Sequence, residues 1–198
     1  MQATGLLPER DARCIAPATM LQTHPADPEP ITRPIVLIGL MGVGKTTVGR
    51  RLAQRLKLPF VDADAEIEAA AGMTVSEIFE RFGEPHFRDG ERRVIARLID
   101  GAPKVIATGG GAFLNEETRA LILDQATAIW LDAAPKVLAE RVAKRDHRPL
   151  LRGKDPLKVL TELAEIRNPV YALAPIHVVS KAAPHEATVN SILTALGR

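Results

Sequence analysis

A lysine set among glycines and followed by two threonines is the first chemistry the chain offers. The stretch Gly39-Leu40-Met41-Gly42-Val43-Gly44-Lys45-Thr46-Thr47 fits G-x-x-x-x-G-K-[ST], a pattern whose glycines let backbone N–H groups close on phosphate oxygens. The amides of Gly42, Val43, Gly44, Lys45, Thr46 and Thr47 are the candidate phosphate donors. Lys45 would reach the β- and γ-phosphates, and the Thr46 hydroxyl could sit on Mg²⁺. A glycine-rich turn matching by chance is the plain alternative, but it needs neither a strand before it nor a helix after it. Both are present here, and the motif is read as binding a nucleoside triphosphate.

Three further groupings could work beside it. Asp62 and Asp64 stand at i and i+2 at the end of a short apolar segment, Leu58-Pro59-Phe60-Val61. In extended backbone that spacing puts both carboxylates on one side. One could hold a metal-bound water while the other meets an acceptor hydroxyl; alternatively, Asp64 only caps a helix starting near Ala65. Gly109-Gly110-Gly111 ends another apolar run, Lys104 to Thr108, where three glycines pack little and suggest a ligand approaching the backbone. Arg141, Lys144, Arg145, His147, Arg148, Arg152 and Lys154 form a basic stretch broken by Pro149, Gly153 and Pro156. That is a solvated loop, or a lid over phosphates in a triphosphate-binding protein. Arg88 by itself reads as a solvated helix residue.

These groups need elements to hold them. Ile35-Val36-Leu37-Ile38 is a buried strand leading into the glycine loop, and Lys45 to Leu56 a helix with Val48, Leu52 and Leu56 on one face. Residues 65 to 100 read as helical, interrupted at Gly72 and at Gly83-Glu84-Pro85, with Ile67, Val75, Ile78, Phe79, Phe82, Val94, Ile95 and Leu98 as the apolar faces. Strands are expected at Lys104–Thr108, Ala128–Leu131 and Ile176–Val179, and helices at Ala134–Lys144, Leu157–Ala174 and Glu186–Leu196. Strand and helix alternate, which predicts an α/β fold with a parallel sheet covered on both faces.

Composition narrows the partners. The 198 residues are 46% hydrophobic and 25% charged, with a formal net charge of +2, so one soluble domain is expected and nothing argues for nucleic acid. No apolar run approaches a membrane span. The single cysteine, Cys14, cannot pair within the chain, and a cytoplasmic home is expected. Pro8, Pro17, Pro25, Pro28, Pro30 and Pro34 crowd the start without apolar periodicity, and residues 1–33 are read as a flexible tail ahead of a domain at 34–198.

Taken together, Gly39–Thr47, Asp62-x-Asp64, Gly83-Glu84 with Phe87-Arg88 and Glu91, Gly109-Gly110-Gly111, Arg148-Pro149-Leu150 and Arg167…Tyr171 stand in the order and approximate spacing of shikimate kinases. The resemblance covers everything after the tail. It implies the P-loop fold of nucleoside monophosphate kinases: a five-stranded parallel sheet, a substrate-binding helical insert at about 64–100 and a lid at about 145–156. It also implies ATP-dependent phosphorylation of the 3-hydroxyl of shikimate, on the way to chorismate and the aromatic amino acids, by an enzyme expected to be a monomer.

Carried over by position, the resemblance gives Asp64 the acceptor hydroxyls and Asp62 a hold on Mg²⁺ through water. Arg88 and Arg167 become a clamp on the carboxylate of shikimate, and Gly109, Gly110 and Gly111 line the ring. Arg148 becomes the lid arginine that meets the phosphates of ATP, and Arg141 an arginine near adenine; Lys45, Asp64 and Arg148 are the expected catalytic set. The chain departs from the family at Ala172-Leu173-Ala174-Pro175, where glutamates are expected. It also departs at Gly90 inside a helical segment, at a cost of about 1 kcal/mol relative to Ala. Ser180 to Pro184 has no clear counterpart. The rival readings are a gluconate kinase, which would not combine these motifs, and a non-catalytic ligand-sensing module, which would be free to lose Lys45, Thr46 or Asp64.

Overall fold

The computed structural model describes residues 30–143, 155–180 and 184–198. In chain order the elements are β1 (Ile35–Ile38), α1 (Lys45–Leu56), β2 (Phe60–Asp62), α2 (Ala63–Ala71), α3 (Val75–Leu98), β3 (Val105–Ala107), α4 (Glu116–Gln125), β4 (Thr127–Asp132), α5 (Pro135–Val142), α6 (Pro156–Tyr171), β5 (Ile176–Val179) and α7 (His185–Ala195). The strands form one parallel sheet in the order β2-β3-β1-β4-β5. This is the five-stranded α/β architecture expected from the sequence.

β1 is central because it can be. Its four residues are fully buried, Ile35 pairing with Val105 on one side and Thr127 on the other. A strand covered on both faces has no polar position to alternate. Burying each such side chain contributes roughly 1.5–3 kcal/mol, so Leu37→Ala should cost about 2–5 kcal/mol. Chain order reverses at β1, between β3 and β4. In open parallel sheets the crevice at the carboxyl ends of the strands beside such a switch is where ligands bind.

α1 buries Val48 and Leu52, as the spacing predicts, with Ala53 beside them, while Leu56 is only partly buried. The helical insert is two pieces. α2 ends where Gly72 turns left-handed (φ 64°), and α3 is kinked at Gly83 (φ 79°, ψ 173°). Pro85 follows at once, in the first turn of the resumed helix, where its missing N–H costs little. Thr74 and Glu77 form a capping box at the start of α3. Phe82, expected on an apolar face, is instead 50% exposed and lies against His86, because the kink turns it away from the core. Gly90 meets nothing, so its cost is entropic only.

α4 was not assigned from the sequence. Its signal is Asn115, whose side chain accepts from the Thr118 amide, with Glu116 and Glu117 in the first turn. Before β1, Ile31 packs on the core and Arg33 donates to the Asp124 carbonyl, so contact with the domain begins ahead of Pro34. Residues 1–29 lie outside the described residues, as does most of the expected lid.

Candidate active site

β1 delivers the glycine loop to the sheet's carboxyl edge. Gly39 has φ 134°, and a Cβ there would stand 2.2 Å from the Leu131 carbonyl oxygen, so only glycine lets the loop leave the sheet beside β4. Lys45 opens α1, and its ammonium donates to the carbonyls of Gly39 (2.7 Å) and Leu40 (3.1 Å). The charge is thereby held over the loop, with the positive end of the α1 dipole behind it.

Thr46 Oγ1 donates to Asp62 Oδ2 at 2.8 Å, and Asp62 Oδ1 accepts the Asp64 amide at 3.2 Å. Asp62 is thus the N-cap of α2. This corrects the reading of both acids as one extended segment: the strand stops at Asp62, and Asp64 belongs to the first turn of α2. The helix cap that the alternative reading gave to Asp64 is made by Asp62. Both still line one cleft of about 310 Å³, together with Gly42, Gly44, Lys45, Thr46, Thr47, Gly109, Gly110, Arg141 and His185. Val43 does not; it is buried, and its amide points to the Leu40 carbonyl at 3.4 Å.

A second, smaller pocket of about 160 Å³ opens under the helical insert. Arg88, Glu91, Arg167, Phe79, Phe87 and Gly111 line it. Met41, Asp64, Gly109 and Gly110 line both spaces. The two pockets therefore meet at a carboxylate.

Three glycines shape this junction. A Cβ on Gly109 would fall 2.6 Å from Glu91 Oε1 and 3.0 Å from Asp64 Oδ1, and one on Gly111 would sit 2.4–2.5 Å from the Arg88 guanidinium. The sequence suggested room for a ligand; the structure adds that the room admits the site's own side chains. The Gly110 carbonyl accepts from Arg167 Nη1 at 3.1 Å and from the Tyr171 hydroxyl.

Arg88 is not the solvated residue its helix position suggested. Its Nη1 donates to Glu91 Oε2 at 2.7 Å, and Nε and Nη2 reach Glu84 Oε1 at 3.1 and 2.9 Å. Glu91 is only 2% exposed. Burial pushes its carboxyl above the usual glutamate range, against the pull of Arg88, and the nearby Asp64 and Glu84 charges add to the rise. Its Oε1 has no hydrogen-bond partner among the described residues, a buried acceptor facing the small pocket. The sequence placed Glu91 in a motif but gave it no role. Only its i+3 spacing from Arg88 hinted at one.

On the other side, Arg141 Nη1 donates to the Val43 carbonyl (3.3 Å) and to Ser180 Oγ (3.4 Å). His185, unassigned from sequence, lies against Gly44 at the start of α7. Arg148 and the segment 145–154 fall outside the described residues, as do 181–183 of the unassigned adenine-side stretch. Among the described residues no cluster of three or more His, Cys, Asp or Glu could hold a metal alone. The donor set of one hydroxyl and one carboxylate, touching at the cleft wall, does suit Mg²⁺, which takes one or two protein oxygens and completes its shell with phosphate and water.

A family model for shikimate kinase matches residues 41–197. The chain belongs to the shikimate kinase family. Two curated shikimate kinases show how near its relatives stand. The one from Caulobacter vibrioides (strain NA1000 / CB15N) is 65% identical over 162 residues, 82% of this chain and 81% of that one. The one from Zymomonas mobilis subsp. mobilis is 58% identical over 179 residues, covering 90% of this chain and all of its own. Among solved structures, the shikimate kinase from Acinetobacter baumannii in complex with shikimate superposes with a TM-score of 0.80 at 34% identity, covering 84% of this chain and 94% of that one. The shikimate kinase fold is therefore shown both by sequence and by shape. Ala172 to Pro175, just past the end of α6, line neither pocket.

Proposed function

We propose that the larger cleft holds ATP, the smaller pocket holds shikimate, and Asp64 takes the proton of the 3-hydroxyl as its oxygen attacks the γ-phosphorus. The chain is an ATP-dependent kinase of the shikimate route by its family. What supports this division of labour is one observation: Asp64 lines both spaces.

The small acid fits the smaller pocket by chemistry. Guanidinium forks bind carboxylates bidentately, and Arg88 and Arg167 both line it. Glu91 Oε1 is an acceptor for a ring hydroxyl, and Phe79 and Phe87, 4.6 Å apart at their centroids, bury the apolar side of the ring. On the nucleotide side, the amides of Gly42, Gly44, Thr46 and Thr47 and the Lys45 ammonium offer donors to the phosphates, while Arg141, tied to the glycine loop, borders the far end. Mg²⁺, when bound, supplies neutralisation of phosphate charge, and Thr46 with Asp62, the latter through water, are the residues to hold it. The bond from the γ-phosphorus to the β–γ bridging oxygen breaks as the new P–O bond forms. Lys45 then stabilises charge on the departing phosphate. Most of the rate gain comes from alignment and charge, which is what phosphoryl transfer asks of a protein.

A monomer as the active unit is part of the same reading. Among the described residues no helix is long and apolar enough to cross a membrane, and a cytoplasmic enzyme fed by ATP is the accompanying inference. The deciding experiment is a coupled assay with ATP and Mg²⁺ against shikimate and gluconate. Product phosphorylated at the 3-hydroxyl, with gluconate inert, supports the reading. Turnover of gluconate alone, or ATP binding with no turnover of either acid, overturns it.

A further inference from the structure

Tyr171 closes α6 and is 1% exposed. Its ring packs on Trp130, centroids 6.1 Å apart, and packing alone would be served as well by phenylalanine. The hydroxyl, however, donates to the Gly110 carbonyl. Arg167, one helical turn earlier, sends its Nη1 to that same oxygen at 3.1 Å. The i, i+4 spacing puts both side chains on one face of α6, and the oxygen they share belongs to a residue lining both pockets.

We propose that Tyr171 is a positioning residue for the acceptor acid: its hydroxyl pins the Gly110 peptide, and the pinned carbonyl orients the Arg167 guanidinium toward the small pocket. Two donors on one carbonyl fix its direction more tightly than one. With Nη1 committed to that fixed oxygen, the rest of the Arg167 fork is left to the pocket it lines. The inference rests on Arg167 meeting the carboxylate of the acid.

Tyr171→Phe keeps the ring against Trp130, and Gly110 keeps Arg167 as a donor, so no buried carbonyl is orphaned and the fold should survive. Shikimate affinity should fall roughly threefold to tenfold, the span of one ordinary hydrogen bond, while ATP affinity and melting temperature stay put. A purely structural tyrosine would lower the melting temperature, or shift both affinities together, and either result overturns the proposal. The Arg167→Ala background separates the two readings. If Arg167→Ala leaves shikimate affinity intact, the reading of Arg167 falls and the inference with it. If Arg167→Ala weakens shikimate but Tyr171→Phe does not, only the role of Tyr171 falls. Calorimetric titration of shikimate into the double variant completes the cycle. Tyr171→Phe should add nothing once Arg167 is gone, and fully additive losses overturn the proposal.

Discussion

Thr46 Oγ1 and Asp62 Oδ2 meet at 2.8 Å, tying the first turn of α1 to the tip of β2. The contact joins the phosphate-binding loop to the carboxylate pair and sets apart two acids that their spacing alone left interchangeable. Asp62 is committed twice, to the Thr46 hydroxyl and to the Asp64 amide. Asp64 is the one placed where the two pockets meet. Asp62→Asn should therefore raise the Mg²⁺ concentration needed for half-maximal rate, whereas Asp64→Asn should cut turnover by orders of magnitude with ATP affinity unchanged. Nucleotide affinity and turnover measured separately, across a Mg²⁺ series, check the pair. The reverse pattern would mean the roles are exchanged.

Lys45→Ala should abolish turnover in a folded protein. The ammonium now lies on the Gly39 and Leu40 carbonyls, within the loop that receives the phosphates, and losing a charge aimed at the transferring group costs transition-state stabilisation. Circular dichroism would establish the fold and the coupled assay the loss. Near-normal turnover would remove Lys45 from the catalytic set.

Arg88→Lys keeps the charge and loses the fork. A charge-assisted hydrogen bond is worth about 1.5–3 kcal/mol, so shikimate binding should weaken at least tenfold. The shortened donor set also leaves Glu91 or Glu84 without a partner, and because Glu91 is buried, the melting temperature should drop by a few degrees as well. ATP affinity should not move. Shikimate titration at constant ATP reads the first effect and thermal melting the second.

The sequence carried the fold because its strongest signals are local. Ile35–Ile38 is apolar without alternation, Lys45–Leu56 has a helical stripe, and the glycine loop between them has its own pattern, so strand, loop and helix fall within a residue of their observed limits. The site was legible where a motif stands on one element. It was less so where contacts cross between elements. That Gly111 is glycine on account of Arg88, some twenty residues earlier, is a relation of α3 to the end of β3, and no spacing records it. Glu91 hid for the same reason: its burial depends on α3 packing beside Gly109. The start of α2 was misjudged because Asp62 both ends a strand and caps a helix, and two consecutive aspartate-containing dipeptides offer two equally good caps.

The capping box at Thr74 and Glu77 gives a pH signature outside the site. The Thr74 amide, and then its hydroxyl, hold the Glu77 carboxyl below its ordinary 4.5. The unfolded chain therefore takes up this proton at a higher pH than the folded one does. The stabilisation is present above about pH 4.5 and is lost as the pH falls through the depressed folded value. Glu77→Gln removes the titration, so wild type should melt higher than the variant at neutral pH, and the gap should close on acidification. Thermal melts from pH 7 to pH 3 measure it; a constant gap would mean the carboxylate is not the source.

Two glycine substitutions should separate fold from function. In Gly39→Ala the new methyl meets the backbone of Leu131, 2.2 Å from its carbonyl oxygen, at a φ of +134°. Neither the strand nor the dihedral can give way cheaply, and overpacking of this kind costs about 1–3 kcal/mol before the backbone strain is added. The protein should melt well below wild type. In Gly111→Ala the backbone is ordinary (φ −103°, ψ −14°), and the three atoms nearest the methyl all belong to the Arg88 guanidinium, the far end of a flexible side chain. Arg88 can swing aside without backbone strain, but it then leaves the buried Glu91 carboxylate and its fork no longer faces the small pocket. Shikimate affinity should fall at least tenfold, the value of one charge-assisted hydrogen bond, with ATP affinity close to wild type and the melting temperature down by only a few degrees. A Gly111→Ala enzyme that binds shikimate normally would show that the guanidinium position seen here is not the one the substrate uses.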